Sequence, residues 1–365
     1  MSRTHKTIGV LTGGGDCPGL NPVIWSVVRA SINDYNWRVL GIEDGFEGFL
    51  KPNKIRELRI QDVKGLFSKG GTILGTSNRG NPFKYSIEEN GKERIVDQSH
   101  KVIQAIKDLN LFCLIVIGGD GSLSIGYDLF KRGVPIIGIP KTIDNDLSST
   151  DVTFGFFTAV ETATSAIEKL HTTAESHHRI MVIEVMGRYA GWIALYAGIA
   201  GGADFILIPE IPFSYSKINE IVRERIHIGK TSSIIVVAEG AKVKGGKRIY
   251  QNSPGKTLEQ LRLGGIGYLV GDNIQKATGI DTRITVLGHL QRGGPPSAFD
   301  RILSCRFGTA AVRLAANGDF GKMVSLRSVD IKAVELKDAV KMMNAVPLDC
   351  DQVKTARSIG ISFGD

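Results

Sequence analysis

Phe112–Asp146 reads FCLIVIGGDGSLSIGYDLFKRGVPIIGIPKTIDND, and the order of its parts decides the fold. An unbroken apolar run, Phe112–Ile117, ends in GGDGS (Gly118–Ser122). A helical pattern follows, and a second apolar run, Val134–Ile139, ends in PKTIDND (Pro140–Asp146). Apolar runs without polar alternation fit parallel strands covered on both faces. Strand, glycine turn, helix and strand in that order make a βαβ unit, with each polar cluster placed just past a strand.

The rhythm extends in both directions. Strand-like runs recur at Ile8–Thr12, Arg38–Ile42, Ile180–Val185, Phe205–Pro209 and Ser233–Ala238. Helical patterns lie between them at Pro22–Asn33, Gln98–Leu109, Val160–Leu170 and Ser216–His227. This alternation predicts a doubly wound α/β fold. The rhythm restarts near residue 155, so two Rossmann-like domains are expected: 1–155 with about 291–340, and 156–290 with the C-terminal tail. Gly245–Pro254 reads as a surface hairpin or loop, and the tail after Asp319 carries little pattern. Ligands of such sheets bind beyond the carboxyl ends of the strands. The clusters in those places are GGGD after the first strand, GGDGS, PKTIDND, MGRYAG after Ile180–Val185, and EG after Ser233–Ala238.

Composition bounds the function. The 365 residues leave room for two cores, and 42% hydrophobic with 22% charged residues is the balance of a globular enzyme. The formal charge of +8 suits anionic ligands. No dense Lys/Arg tract interleaved with aromatics points to nucleic acid. No apolar run is long enough to span a bilayer, so no membrane role is expected. Cys17, Cys113, Cys305 and Cys350 form no CxxC pair and read as free thiols of a reducing compartment. The polar start runs directly into a strand without a signal peptide, so a cytoplasmic location is expected.

The clusters share one chemistry. In TGGGDCPGLN (Thr12–Asn21), glycines between a buried strand and a helix let backbone N–H groups approach phosphate oxygens; the alternative is a plain βα turn. No GK[ST] follows, and no GxGxxG with an acidic partner is present, so neither a Walker loop nor a nicotinamide dehydrogenase fits. In GGDGS, Asp120 offers a hard oxygen suited to Mg²⁺, and Ser122 can cap the next helix while donating to a phosphate. In PKTIDND, Asp144 can take a proton from an acceptor hydroxyl and Asp146 can orient the site, while Lys141 and Thr142 hold the moving group. The competing reading is an Asx turn. His178–Arg179 and Met186–Gly187–Arg188 flank one strand, and Arg suits bidentate phosphate contacts. Arg283, with His289 and Arg292 in GHLQRGG, offers a cradle for a phosphate ester.

Taken together, GGGDCPGLN, GGTILGTS, GGDGS, PKTIDND, HHRIMVIEVMGRYAGW, AEG and TRITVLGHLQRGG resemble the 6-phosphofructokinase family, in order from Ile8 to about Gly308. The resemblance implies two α/β domains with the active site in the cleft between them, and a homotetramer or homodimer with shared sites. It implies Mg²⁺-dependent transfer of the ATP γ-phosphoryl to the 1-hydroxyl of fructose 6-phosphate. Asp144 resembles the base, and Arg188 and Thr142 the groups that handle the phosphoryl. Asp120 would hold Mg²⁺, with Gly14, Gly119, Gly121 and Ser122 along the nucleotide phosphates and Arg79 nearby. Met186, Gly187, Glu239, His289 and Arg292 would bind the sugar phosphate. Arg179 and Arg283 would reach the 6-phosphate from a neighbouring subunit.

Departures from the family pattern bear on donor and control. Gly121 resembles ATP users, since a side chain there would intrude on the α-phosphate, whereas Lys141 is typical of pyrophosphate users. ATP is the expected donor. Phe46 either stacks on adenine or belongs to the core. Trp25 with Arg29, and His171, stand where allosteric relatives carry effector-binding arginines, so weak or absent control of that kind is expected. The alternatives are a pyrophosphate-dependent phosphotransferase, a sedoheptulose 7-phosphate kinase, and a non-catalytic regulatory paralogue.

Overall fold

Seven strands form a sheet in the order Asp330–Glu335, Lys322–Arg327, Ile136–Pro140, Leu111–Gly118, Thr7–Thr12, Arg38–Ile42 and Ile55–Leu58 in a computed structural model that describes residues 5–77, 80–89, 91–250 and 263–365. The five inner strands run parallel, and the two edge strands are antiparallel to their neighbours. Leu111–Gly118 is buried along nearly its whole length, as a strand covered on both faces requires. Leu11, Ile42, Leu114, Val116 and Ile136 from four of these strands share one core cluster.

This sheet belongs to the first of two compact units: residues up to Thr142, then Leu147–Phe157 and Arg292–Met343. The chain enters it through Thr7–Thr12. The next strand, Arg38–Ile42, lies on one side, whereas Leu111–Gly118 and Ile136–Pro140 lie on the other. Winding therefore reverses between Thr7–Thr12 and Leu111–Gly118. That reversal opens a crevice at the carboxyl ends of the two strands.

The second unit takes Ile143–Asp146, Thr158–Gln291 and Asn344–Asp365. Its parallel sheet has the order Thr282–Val286, Ile180–Val185, Ser233–Ala238, Phe205–Leu207. The crossovers leaving the adjacent strands Ile180–Val185 and Ser233–Ala238 run to opposite edges, so winding reverses between these two. The tail closes one edge, where Ile206 donates its backbone N–H to the Ser362 carbonyl at 2.9 Å.

The strands read from sequence recur within two residues at each end. The structure adds a Tyr85–Glu89/Lys92–Val96 hairpin, three further strands of the first sheet at Ile55–Leu58, Lys322–Arg327 and Asp330–Glu335, and a helix at Asp351–Ser358. The tail after Asp319 is thus more ordered than its pattern suggested. Its edge strand is exposed at four of its six positions and half-buried at Ile331 and Val334, which leaves no continuous apolar run to read. The expected Gly245–Pro254 loop lies within the described residues only as far as 250.

In the first unit, helix Leu20–Tyr35 packs against helix Ala298–Asn317. Ser297 caps the latter by accepting the Asp300 N–H at 3.2 Å, and Gly318 ends it at φ 75°. They come close at Gly308, where an added Cβ would stand 2.0 Å from Ser26 Oγ and 2.9 Å from the Val23 carbonyl oxygen. Gly308→Ala is expected to destabilise the protein by about 1–3 kcal/mol through overpacking, read as a lower denaturation midpoint with an unchanged slope. An unchanged midpoint would mean the two helices separate at no cost.

Candidate functional site

The crevice of the first unit is built from glycine. The Gly13 N–H donates to the Ile117 carbonyl at 2.9 Å, which ties the two central strand ends together. A Cβ on Gly13 would meet Ser122 Oγ at 2.4 Å, and one on Gly118 would meet Ser122 Cβ at 2.4 Å. These glycines let the Ser122 side chain sit beneath the loop. The helix begins at Asp120, with Gly119 as its N-cap, so Ser122 lies buried in the first turn and caps nothing through its side chain. That corrects the capping role read from sequence, because the strand runs to Gly118 and the helix starts three residues early, capped at Gly119. Ser122 is left to pack under Gly13 and Gly118.

Three successive carbonyls of the first glycine loop are taken. Thr76 Oγ1 donates to Gly14 at 2.5 Å, Lys141 Nζ to Gly15, and Arg292 to Asp16 at 3.1 Å. Two cations therefore hold the loop beside the positive end of helix Asp120–Lys131, an environment suited to anions. Arg292 thus stands with the glycine loop in the first unit, whereas Met186, Glu239 and His289 belong to the second. Asp120 is exposed, and one of its carboxylate oxygens accepts the Gly121 N–H at 2.7 Å. A Cβ on Gly121 would meet nothing within 4 Å. The Lys141 backbone N–H donates to the Gly118 carbonyl at 2.9 Å, and Thr153 Oγ1 donates to the Thr142 carbonyl at 2.7 Å. GGDGS and Lys141–Thr142 are thereby fixed at adjacent strand ends.

Cys17, in the same glycine loop, is fully buried, and burial pushes its thiol up to about 12, so it is no nucleophile at neutral pH. Phe46 is core: it packs with Ile42, Phe49 and Val102 and is 3% exposed. Arg79 lies outside the described residues. Trp25 packs on Phe67 with Arg29 over its ring, and the His171 Nε2 pairs with the Gly201 carbonyl at 2.7 Å.

In the second unit the strand ends bring together Met186, Arg188, Glu239 and the segment Gly288–Gln291. Gly187 at φ 139° and Arg188 at φ 51° form a sharp turn, and a non-glycine residue in that region needs external support. Glu239 supplies it by accepting the Arg188 N–H at 3.0 Å, while its own N–H donates to the Val185 carbonyl at 2.8 Å. Gln291 is fully buried; it accepts the Met186 N–H at 3.3 Å and donates to the Gly288 carbonyl at 3.1 Å. Sequence reasoning passed over Gln291, whose signal was its place between His289 and Arg292. Glu184 is a second such residue. It is buried, and its carboxylate accepts the N–H groups of Gly265 and Gly267 at the start of helix Ile266–Thr278, satisfying orphan donors there.

Arg179 and Arg283 lie elsewhere. Both lie toward the amino ends of their strands: Arg179 precedes its strand, about 20 Å from the carboxyl end that leads to Arg188, and Arg283 is the second residue of its own, about 10 Å from the carboxyl end that leads to His289. Asp281 pairs with both, with Arg179 at 2.6 Å. Partial burial pulls the Asp281 carboxyl upward, but the hydrogen bond and charge of Arg179, then Arg283, hold it below the usual range.

The phosphofructokinase family profile matches residues 7–315. The chain belongs to this family. It is 51% identical over 365 residues to an ATP-dependent 6-phosphofructokinase of Chloroflexus aggregans, covering 100% of this chain and 99% of the relative. It is also 48% identical over 340 residues to a pyrophosphate–fructose 6-phosphate 1-phosphotransferase of Amycolatopsis methanolica, covering 93% and 96%. Among solved structures, a phosphofructokinase from Saccharomyces cerevisiae superposes with a TM-score of 0.77 at 32% identity, over 92% of this chain and 45% of the longer yeast chain. A pyrophosphate-dependent phosphofructokinase from Nitrosospira multiformis has a TM-score of 0.81 at 20% identity, over 99% and 93%, and shares the fold.

The two glycines next to site residues differ in their surroundings. A Cβ on Gly240 would stand 2.0 Å from the Arg188 carbonyl oxygen, whereas Gly121 faces open space. Gly240→Ala is expected to lower the melting temperature, at a cost of about 1–3 kcal/mol. Gly121→Ala, inside a helix, is expected to hold or raise the melting temperature, with a stabilisation of up to about 1 kcal/mol. Equal shifts in thermal melts of the two variants would contradict this reading of the Arg188 turn.

Proposed function

We propose that this chain transfers the γ-phosphoryl of ATP to the 1-hydroxyl of fructose 6-phosphate, giving fructose 1,6-bisphosphate and ADP. The observation that carries the reading is the Lys141 N–H to Gly118 carbonyl bond. It fixes an anion-binding glycine turn beside Lys141–Thr142, and Asp144 follows Thr142 by two residues, a chain span of at most about 7 Å. The phosphate cradle is thus hydrogen-bonded to the same short stretch of chain that carries the carboxylate base. Asp144 takes the hydroxyl proton, the sugar oxygen attacks the γ-phosphorus, and the bond to the bridging oxygen breaks to release ADP. Arg188, Thr142 and Lys141 stabilise charge on the transferring group. Met186, Gly187, Glu239, His289 and Arg292 hold the sugar phosphate. Gly14, Gly119 and Gly121 line the nucleotide phosphates with Ser122 packed beneath them, and Arg79 is assigned there from the resemblance.

Among the described residues no group of three or more His, Cys, Asp or Glu could cage a metal. One exposed carboxylate, Asp120, fits Mg²⁺, which is usually held by one or two carboxylates together with substrate phosphates. Bound there with the nucleotide, Mg²⁺ would neutralise charge between the β- and γ-phosphates.

The open space at Gly121 supports ATP, because no side chain occupies the room an α-phosphate needs. The buried Lys141, and the donor named for the Amycolatopsis relative, support pyrophosphate as the second reading. The distance of Arg179 and Arg283 from the carboxyl ends supports a homodimer or homotetramer in which each serves another copy's site. Among the described residues no helix is long and apolar enough to cross a membrane, in keeping with an enzyme of the cytoplasm.

Asp144→Asn is expected to lower kcat by about 10²–10⁴ while leaving KM for both substrates nearly unchanged, as loss of a general base should. Steady-state kinetics on the purified variant read this directly. A kcat within a few-fold of the parent would remove Asp144 from the chemistry.

A further inference from the structure

The segment that carries Asp144 is held by a residue nearly two hundred positions away. Ile143–Asp146 belongs to the second unit, as does the tail that begins at Asn344. Asn344 meets this segment twice. Its backbone N–H donates to the Asp146 carbonyl at 2.8 Å, and its side-chain Nδ2 donates to the Asn145 carbonyl at 2.9 Å. Its own carbonyl accepts the Trp192 indole N–H at 2.7 Å.

Each partner bears on the site. Asn145 stands at φ 52°, a conformation that needs outside support even for Asn, and the residue is buried. Its carbonyl closes the peptide that begins one residue after Asp144, so fixing two successive carbonyls fixes the backbone orientation from which the Asp144 side chain projects. Trp192 opens the helix that follows the Gly187–Arg188 turn by four residues. One tail residue therefore joins the loop bearing the base to the start of the helix behind the phosphoryl-handling arginine.

We propose that Asn344 is a positioning residue for Asp144, a clamp that keeps the base loop in its strained form and ties it to the helix after Arg188. This rests on the phosphotransfer reading above. Reacting groups lose rate steeply when displaced by about 1 Å, so a clamp of this kind acts on turnover and leaves substrate affinity alone.

Asn344→Ala keeps both main-chain bonds and deletes only the bond to the Asn145 carbonyl. Asn344→Asp keeps the shape and lacks the N–H donor. Both variants are expected to lower kcat for fructose 6-phosphate with ATP about tenfold, with each KM within about twofold of the parent. Amide hydrogen exchange at residues 144–146 is expected to quicken about tenfold in both. Val353→Ala, at a buried position of the same tail, gives the effect of tail destabilisation alone. A kcat unchanged in Asn344→Ala, or a loss that Val353→Ala reproduces at equal melting temperature, would overturn the clamp. If the parent itself transfers no phosphoryl group, the functional reading fails, and exchange at 144–146 still decides the clamp: unchanged exchange overturns it.

Discussion

Two parallel sheets that each reverse their winding constrain everything else in this protein. Parallel strands need crossover helices on both faces, so their carboxyl ends are free of covering structure only where successive crossovers part to opposite sides. In the first unit that point lies between Thr7–Thr12 and Leu111–Gly118, and in the second between Ile180–Val185 and Ser233–Ala238. Gly13, Gly118 and Gly119 sit at the first point, and Gly187, Arg188, Glu239 and Gly240 at the second. The chemistry of the chain collects where the topology leaves room for it.

Close backbone approach does the rest. The Gly13–Ile117 bond and the Lys141–Gly118 bond link three strand ends through main-chain atoms, so the glycine loop, GGDGS and Lys141–Thr142 keep their register whatever their side chains do. In the second unit the Arg188 turn adopts positive φ because Glu239 accepts its N–H and Gly240 has no Cβ to collide with it. Strained turns of this kind persist only where neighbours over-determine them, and at Arg188 and Asn145 those neighbours are named side chains.

Much of this was legible in the sequence for a physical reason. A parallel strand buried on both faces leaves an unbroken apolar run, and a close approach of backbones leaves a glycine, so Phe112–Ile117 and GGDGS announce themselves. Partners recruited over long distances leave no such trace. Asn344 and Asp281 act through hydrogen bonds or ion pairs to segments far along the chain, and nothing in their local pattern distinguishes them from ordinary polar residues, whereas Gln291 is marked only by its place between His289 and Arg292. Strand Asp330–Glu335 escaped notice because an edge strand is half exposed. The helix start at Asp120 was misplaced because Ser122 has the right chemistry for a cap and the wrong position for one.

The donor is the most exposed element of the functional reading, since relatives at 51% and 48% identity carry names that differ in it. The most direct measurement is the initial rate of fructose 6-phosphate phosphorylation with Mg²⁺, comparing ATP with pyrophosphate at matched concentrations. Open space at Gly121 predicts the faster reaction with ATP. A faster reaction with pyrophosphate would make Lys141 the determinant and contradict the donor assignment, and no reaction with either would contradict the acceptor as well.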